Sequence, residues 1–136
     1  MQRRTAAPPA HAPKLRLVDS ITELGPQDGG CLAVSGSHGG LSAGGYAMAA
    51  RPWLSVFNDA GVGKDDAGIA ALAQMQAAGL AACTVAHTSA CIGQARSTWK
   101  TGVVSHANAL AQALGCVPGV PLQRWAEERL SGLAEN

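Results

Sequence analysis

The chain predicts a single α/β domain, a three-layer, Rossmann-like sandwich built on a short, mostly parallel sheet of 4-5 strands. Three observations predict it. Short apolar runs such as CLAVS at 31–35 and LAACTVA at 80–86 have the pattern of strands buried on both faces of a parallel sheet. Helical stretches separate them, the alternation that builds right-handed βαβ units. The composition also suits close packing: 47% of the 136 residues are hydrophobic but only 4% aromatic, and 17 are Gly. A chain of this length can bury one core without staples.

Residues 1–13 are rich in Pro and Ala without periodicity and predict a disordered tail before the α/β domain at 14–121. In KLRLVDSI (14–21), Leu15 and Leu17 alternate with Lys14 and Arg16, which marks a strand with one wet face at a sheet edge. GPQDGG at 25–30 is a turn. The strand at 31–35 empties into Gly36-Ser37-His38-Gly39-Gly40. A small-residue helix follows at 42–50 and stops at Arg51, because Pro52 disfavours helical geometry there. The next strand starts at Leu54, turns polar at Asn58-Asp59, and passes through a loop with Gly61 and Gly63. A helix is expected at 66–78, capped by Asp65, with Ile69, Leu72, Ala73 and Gln76 at helical spacing and Gly79 as its stop. The strand at 80–86 ends in His87-Thr88-Ser89. Residues 91–102 have no clear period and read as a functional loop with room for a short helical turn. Val103-Val104 then forms a brief strand leading to Ser105-His106, with a helix at 107–114 ended by Gly115. The C-terminal segment, 122–136, predicts an amphipathic helix whose Leu122, Trp125, Ala126, Leu130 and Leu133 pack on the domain or on a partner.

Charge and cysteine usage exclude several classes. A net charge of +1 gives no field that recruits nucleic acid or an anionic membrane, and no apolar run approaches the length of a membrane span. Arg3-Arg4 is not followed by the apolar core of a secretion signal. The four cysteines form no CxxC pair and read as reduced thiols, so the expected location is cytoplasmic.

The chemistry is expected at the carboxyl ends of the strands, where open α/β sheets bind ligands. Three strand exits carry a histidine beside hydroxyl residues (His38, His87 and His106), and one carries Asn58-Asp59. His38, Asp59, His87 and His106 are therefore the candidate catalytic groups, expected to line one cavity. They could act as acid, base and orienter without metal, or supply imidazole and carboxylate ligands to a divalent ion. The candidate anion-binding groups are Ser35, Gly36, Ser37, Gly39 and Gly40 on the first loop and Asn58, Gly61, Gly63 and Lys64 on the second. Ser89, Arg96 and Asn108 complete the set. The Gly36 loop fits neither a Walker motif nor GxGxxG, and no G-x-S-x-G elbow is present.

The run Phe57-Asn58-Asp59-Ala60-Gly61, followed by Ala67-Gly68-Ile69 and a helix, resembles the NDDG…GI opening of the SurE family of metal-dependent nucleotidases. The likeness covers about 57–93; Ala60 stands where that family has its second Asp, and a strand and glycine loop precede the motif here. It implies a metal-ligand role for Asp59 and for Ser89.

These features point to a small-molecule enzyme acting on an anionic metabolite by hydrolysis or by proton transfer, as in a lyase or isomerase. The alternative is a non-catalytic ligand-binding or swivelling subunit that completes a partner's active site. The Ala- and Gly-rich surfaces and the C-terminal helix predict a homo-oligomer with Trp125 near the contact.

Overall fold

In the computed structural model, which describes residues 13–130 and the backbone of 134–135, four parallel strands lie in sequence order across the sheet. They are β1 (Lys14–Val18), β2 (Leu32–His38), β3 (Leu54–Asn58) and β4 (Ala81–Val85). Beside β4 runs β5 (Val104–Ala107), antiparallel, and beside β1 runs the two-residue β6 (Ala134–Glu135). The order is β5-β4-β3-β2-β1-β6. The expected tail lies outside the described residues except for Pro13, which is buried. β1 is not the sheet edge, because β6 pairs with it at Lys14 and Leu15.

Crossovers of one hand that step in one direction along a sheet all pass over the same face. Accordingly α1 (Leu41–Ala50) and α2 (Ala70–Ala77) pack against each other over one face. There Ala47, Phe57, Ala71, Met75 and Ala82 form a core of small side chains around one large ring. The other face holds α3 (Ala95–Thr101) and α5 (Leu122–Arg129), with α4 (Ala109–Ala113) against β4 and β5. Its core comprises Leu32, Val34, Leu54, Val56, Cys83, Trp99, Leu122 and Trp125. Successive strand residues alternate between these cores, as the two-residue period requires. The result is a three-layer α/β domain.

Three elements differ from expectation for local reasons. α3 occupies the stretch read as a loop, because its aperiodic sequence hid a helix whose Trp99 is buried against the sheet and whose Ala95 N–H is capped by Asp19 from β1's end, 2.9 Å away. α2 begins at Ala70, four residues later than expected. Asp65 and Asp66 are left-handed and kink the stretch Lys64–Ile69, which brings buried Gly68 against the Asp59 carbonyl. The Ser105-His106 pair is not a parallel strand exit but lies inside antiparallel β5.

The apolar face of α5 is buried in the domain's own core. Trp125 is 9% exposed and stacks on Trp53 with centroids 6.4 Å apart; Leu133 lies outside the described residues. All four cysteines are free, and only Cys91 is exposed. Among the described residues, no helix is long and apolar enough to cross a membrane.

Candidate active site

The site is built around one carboxylate. β3 ends at Asn58, and Asp59 follows directly, only 4% exposed. Asn and Asp accept readily from the N–H two residues on, and both do so here: Asn58 Oδ1 from Ala60 at 2.8 Å, Asp59 Oδ1 from Gly61 at 2.8 Å. Asp59 Oδ1 also accepts the backbone N–H of His87 at 3.0 Å and lies 3.3 Å from the His87 ring at Nδ1. On the other side Oδ2 is 3.9 Å from His106 Nδ1. Burial pushes the Asp59 carboxyl up, but the Gly61 N–H, the Ser105 hydroxyl, the His87 N–H and the His87 ring outweigh it. Together they hold the group below the usual carboxylate range. Asp59 is therefore a buried anion flanked by two imidazoles.

Those imidazoles reach it by different routes. His87 follows β4, the parallel neighbour of β3, so its strand exit lies beside that of Asp59. Its ring packs over Gly61, where a Cβ would make only ordinary contact with it at 3.6 Å; the positive φ of 76° is what favours glycine there. His106 arrives because antiparallel β5 pairs Thr84 with His106, which carries Ser105 and His106 to the rim. Ser105 Oγ bonds Thr84 Oγ1 at 2.9 Å and His106 Nδ1 at 3.2 Å, so a chain of polar groups backs the carboxylate. Sequence reading passed over Thr84 and did not assign Ser105; the available signals were a hydroxyl inside an apolar strand and its neighbour's histidine.

A cleft of about 530 Å³ opens beside His87. It is lined by Asn58, Ala60 and residues 87–92 on one side and by Ser97 and Thr101 of α3 on the other. The buried Asn58 amide shapes it by donating to the Ala90 carbonyl at 3.1 Å. The Ser89 hydroxyl accepts from Val103 N at 3.0 Å and donates to Ala86 O at 2.7 Å, so it serves the loop rather than the cleft. His106 lies across Asp59 and does not line the cleft.

The remaining candidates sit apart from this centre. Gly36, Ser37 and His38 prolong β2 where a loop was expected, and the 36–40 segment holds its neighbours together: Gly36 N–H donates to Asp19 O, Gly93 N–H donates to Gly36 O, and Gly39 N–H donates to Asn58 O. A Cβ at Gly36 would lie 2.4 Å from the Gln94 nitrogen. Gly40 N–H turns back onto His38 O. Ser37 Oγ accepts from Ile21 N, and Ser35 Oγ is buried against Val56 O. With these groups engaged inside the fold, the loop offers an anion little of the backbone expected of it. His38 is exposed, in register with Asn58, with its ring against Gly40. Asn108 caps α4 and is buried at the opposite end of β4, bonded to Leu72, Leu80, Ala82 and Ala111. Gly63, Lys64 and Arg96 are exposed, the first two on the loop that follows Asp59.

No protein-family model, curated protein or solved structure matches this chain. The SurE-like run is thus a local likeness. The metal it implies does not fit the residues: Ala60 replaces the second carboxylate, and the Ser89 hydroxyl is already bonded twice. Among the described residues, no three His, Cys, Asp or Glu side chains gather as a metal ion would need.

Proposed function

We propose that this protein is a small-molecule enzyme in which His87, oriented by Asp59, moves a proton to or from an anionic substrate held in the adjacent cleft. The observation that carries the reading is the Asp59 carboxylate, buried and anionic, with His87 Nδ1 at 3.3 Å. A carboxylate at Nδ1 favours the tautomer whose Nε2 is free to take a proton, and it stabilises the imidazolium that forms. His87 is 55% exposed at its side chain, so the free edge is open to a ligand. His106, on the other oxygen of the same carboxylate, lies outside the cleft and backs Asp59 rather than meeting the substrate. One imidazole that takes a proton and gives it back suits lyase or isomerase chemistry, and the same group activating water suits hydrolysis.

The test is a panel of small carboxylic acids and phosphomonoesters in deuterated buffer, followed by proton and phosphorus NMR. Deuterium entering a carbon next to a carboxyl reports proton transfer, and released phosphate reports hydrolysis. The expected result is turnover of one class that His87→Ala abolishes. Binding at the cleft without turnover would favour the non-catalytic ligand-binding subunit, and neither binding nor turnover refutes the reading.

A further inference from the structure

The walls of the cleft beside His87 narrow what it can hold. Its volume of about 530 Å³ falls in the roughly 300–1,000 Å³ range of pockets that enclose most of a small-molecule ligand. Among the described residues, no Lys, Arg, Asp or Glu lines it. Its polar side chains, His87 and Thr88 apart, are engaged by the protein's own backbone. Asn58 donates to Ala90 O and accepts from Ala60 N–H, and Ser97 Oγ accepts from Cys91 N–H at 2.8 Å. Thr101 Oγ1 donates to the Ser89 and Ser97 carbonyls, and the Ser89 hydroxyl is bonded twice. The surface left to a ligand is mostly apolar, with Ala60, Ala90 and Ile92 contributing to it.

Ile92 is 54% exposed on this cleft. The turn that presents it is fixed, because Gly93 N–H donates to Gly36 O at 2.7 Å and Gln94 N–H donates to Cys91 O at 3.3 Å. One exposed apolar side chain carries no message on an open surface. On an apolar cleft beside an imidazole, it is area that a ligand takes out of water.

Charge narrows the ligand further. Asp59 stands as a buried anion behind the His87 ring, with Oδ1 3.3 Å from Nδ1. One anionic group at the open edge of His87 can be matched by its imidazolium. A phosphomonoester brings roughly 1.5–2 negative charges at neutral pH. In a cleft lined by no cationic side chain, with a carboxylate close by, repulsion and desolvation oppose it.

We propose that the cleft selects a monocarboxylic acid with an apolar chain or ring, its carboxyl at the exposed edge of His87 and its body against Ala90 and Ile92. The inference rests on the acid–base reading of His87 and narrows it, favouring proton transfer on a carbon acid over phosphate-ester hydrolysis.

The experiment titrates the full chain with acetate, butyrate, hexanoate and octanoate, and with malonate and phenyl phosphate as dianions. The His87 ring is followed by NMR. Occupancy is read separately as protection of Cys91, the one exposed cysteine and a lining residue, from iodoacetamide, with the modified peptide identified by mass spectrometry. Affinity should rise roughly three- to four-fold per added methylene, the ratio that burying one such group gives. Octanoate should bind more tightly than either dianion, and Ile92→Asn should weaken octanoate several-fold while leaving acetate unchanged. A flat chain-length series, or tighter binding of a dianion, with His87 still responding, overturns the inference and leaves the acid–base reading standing. Chain-length-dependent protection of Cys91 with no response of the His87 ring overturns the acid–base reading and the carboxyl placement built on it. No protection of Cys91 by any of the acids overturns the apolar-acid cleft itself.

Discussion

Replacing Asp59 by Asn separates orientation from packing. The amide oxygen can still accept the Gly61 and His87 N–H groups, which the native Oδ1 meets at 2.8 and 3.0 Å, so the turn should survive. The new NH₂ faces the Ser105 hydroxyl, which can rotate to accept. Stability should change by about 1 kcal/mol or less, within roughly 4 °C in melting temperature for a domain of this size. The loss falls on His87. Hydrogen bonds to charged groups contribute about 1.5–3 kcal/mol. The separation of 3.3 Å exceeds the ~2.9 Å of a well-formed bond, and the half-exposed ring is screened by solvent, so the lower end applies. Roughly 1.5 kcal/mol is about a ten-fold change in the tautomer ratio of His87. Ring nitrogen shifts of neutral His87 should show Nδ1–H dominant in the native protein and a mixture in the Asp59→Asn variant, and any turnover should fall at least as far. A native tautomer in a variant that has lost several kcal/mol would refute this reasoning and make Asp59 a structural cap.

The same carboxylate sets a pH signature. Its folded pKa lies below the ordinary value, so its stabilisation is complete above about 4 and fades as pH falls through the folded pKa; the stability difference between native protein and Asp59→Asn should narrow below pH ~4 in acid-unfolding curves. Asn108→Ala removes four buried hydrogen bonds at the far end of β4 and should cost about 3 kcal/mol or more in urea unfolding, while the His87 spectrum stays native. Gly36→Ala should destabilise by about 2–3 kcal/mol because the new methyl meets backbone atoms of Gly93 and Gln94 that cannot retreat. In contrast, Gly45→Ala on α1 points into open space and should stabilise by about 0.5–1 kcal/mol in the same assay.

The sequence by itself determined the layered α/β domain, because short apolar runs bounded by turn residues and alternating with helices fit strands covered on both faces. It also put Asp59 and His87 at the ends of consecutive strands, and the structure makes those strands parallel neighbours whose exits share a rim. Local chemistry set the two Asx turns at Asn58 and Asp59. Only the tertiary structure decided the direction of β5, since a four-residue strand carries no mark of parallel or antiparallel pairing, and that direction puts His106 and Ser105 next to Asp59. It alone separated the glycines and polar residues that bind segments together from those that face solvent: Gly36 and Asn108 are fixed by partners distant in sequence. Helical propensity favoured an early start for α2, but Gly68 must pack against Asp59, and that long-range contact bent residues 60–66 into a left-handed loop. Residue type names the groups that can do chemistry; which of them are left unbonded depends on where the rest of the chain passes.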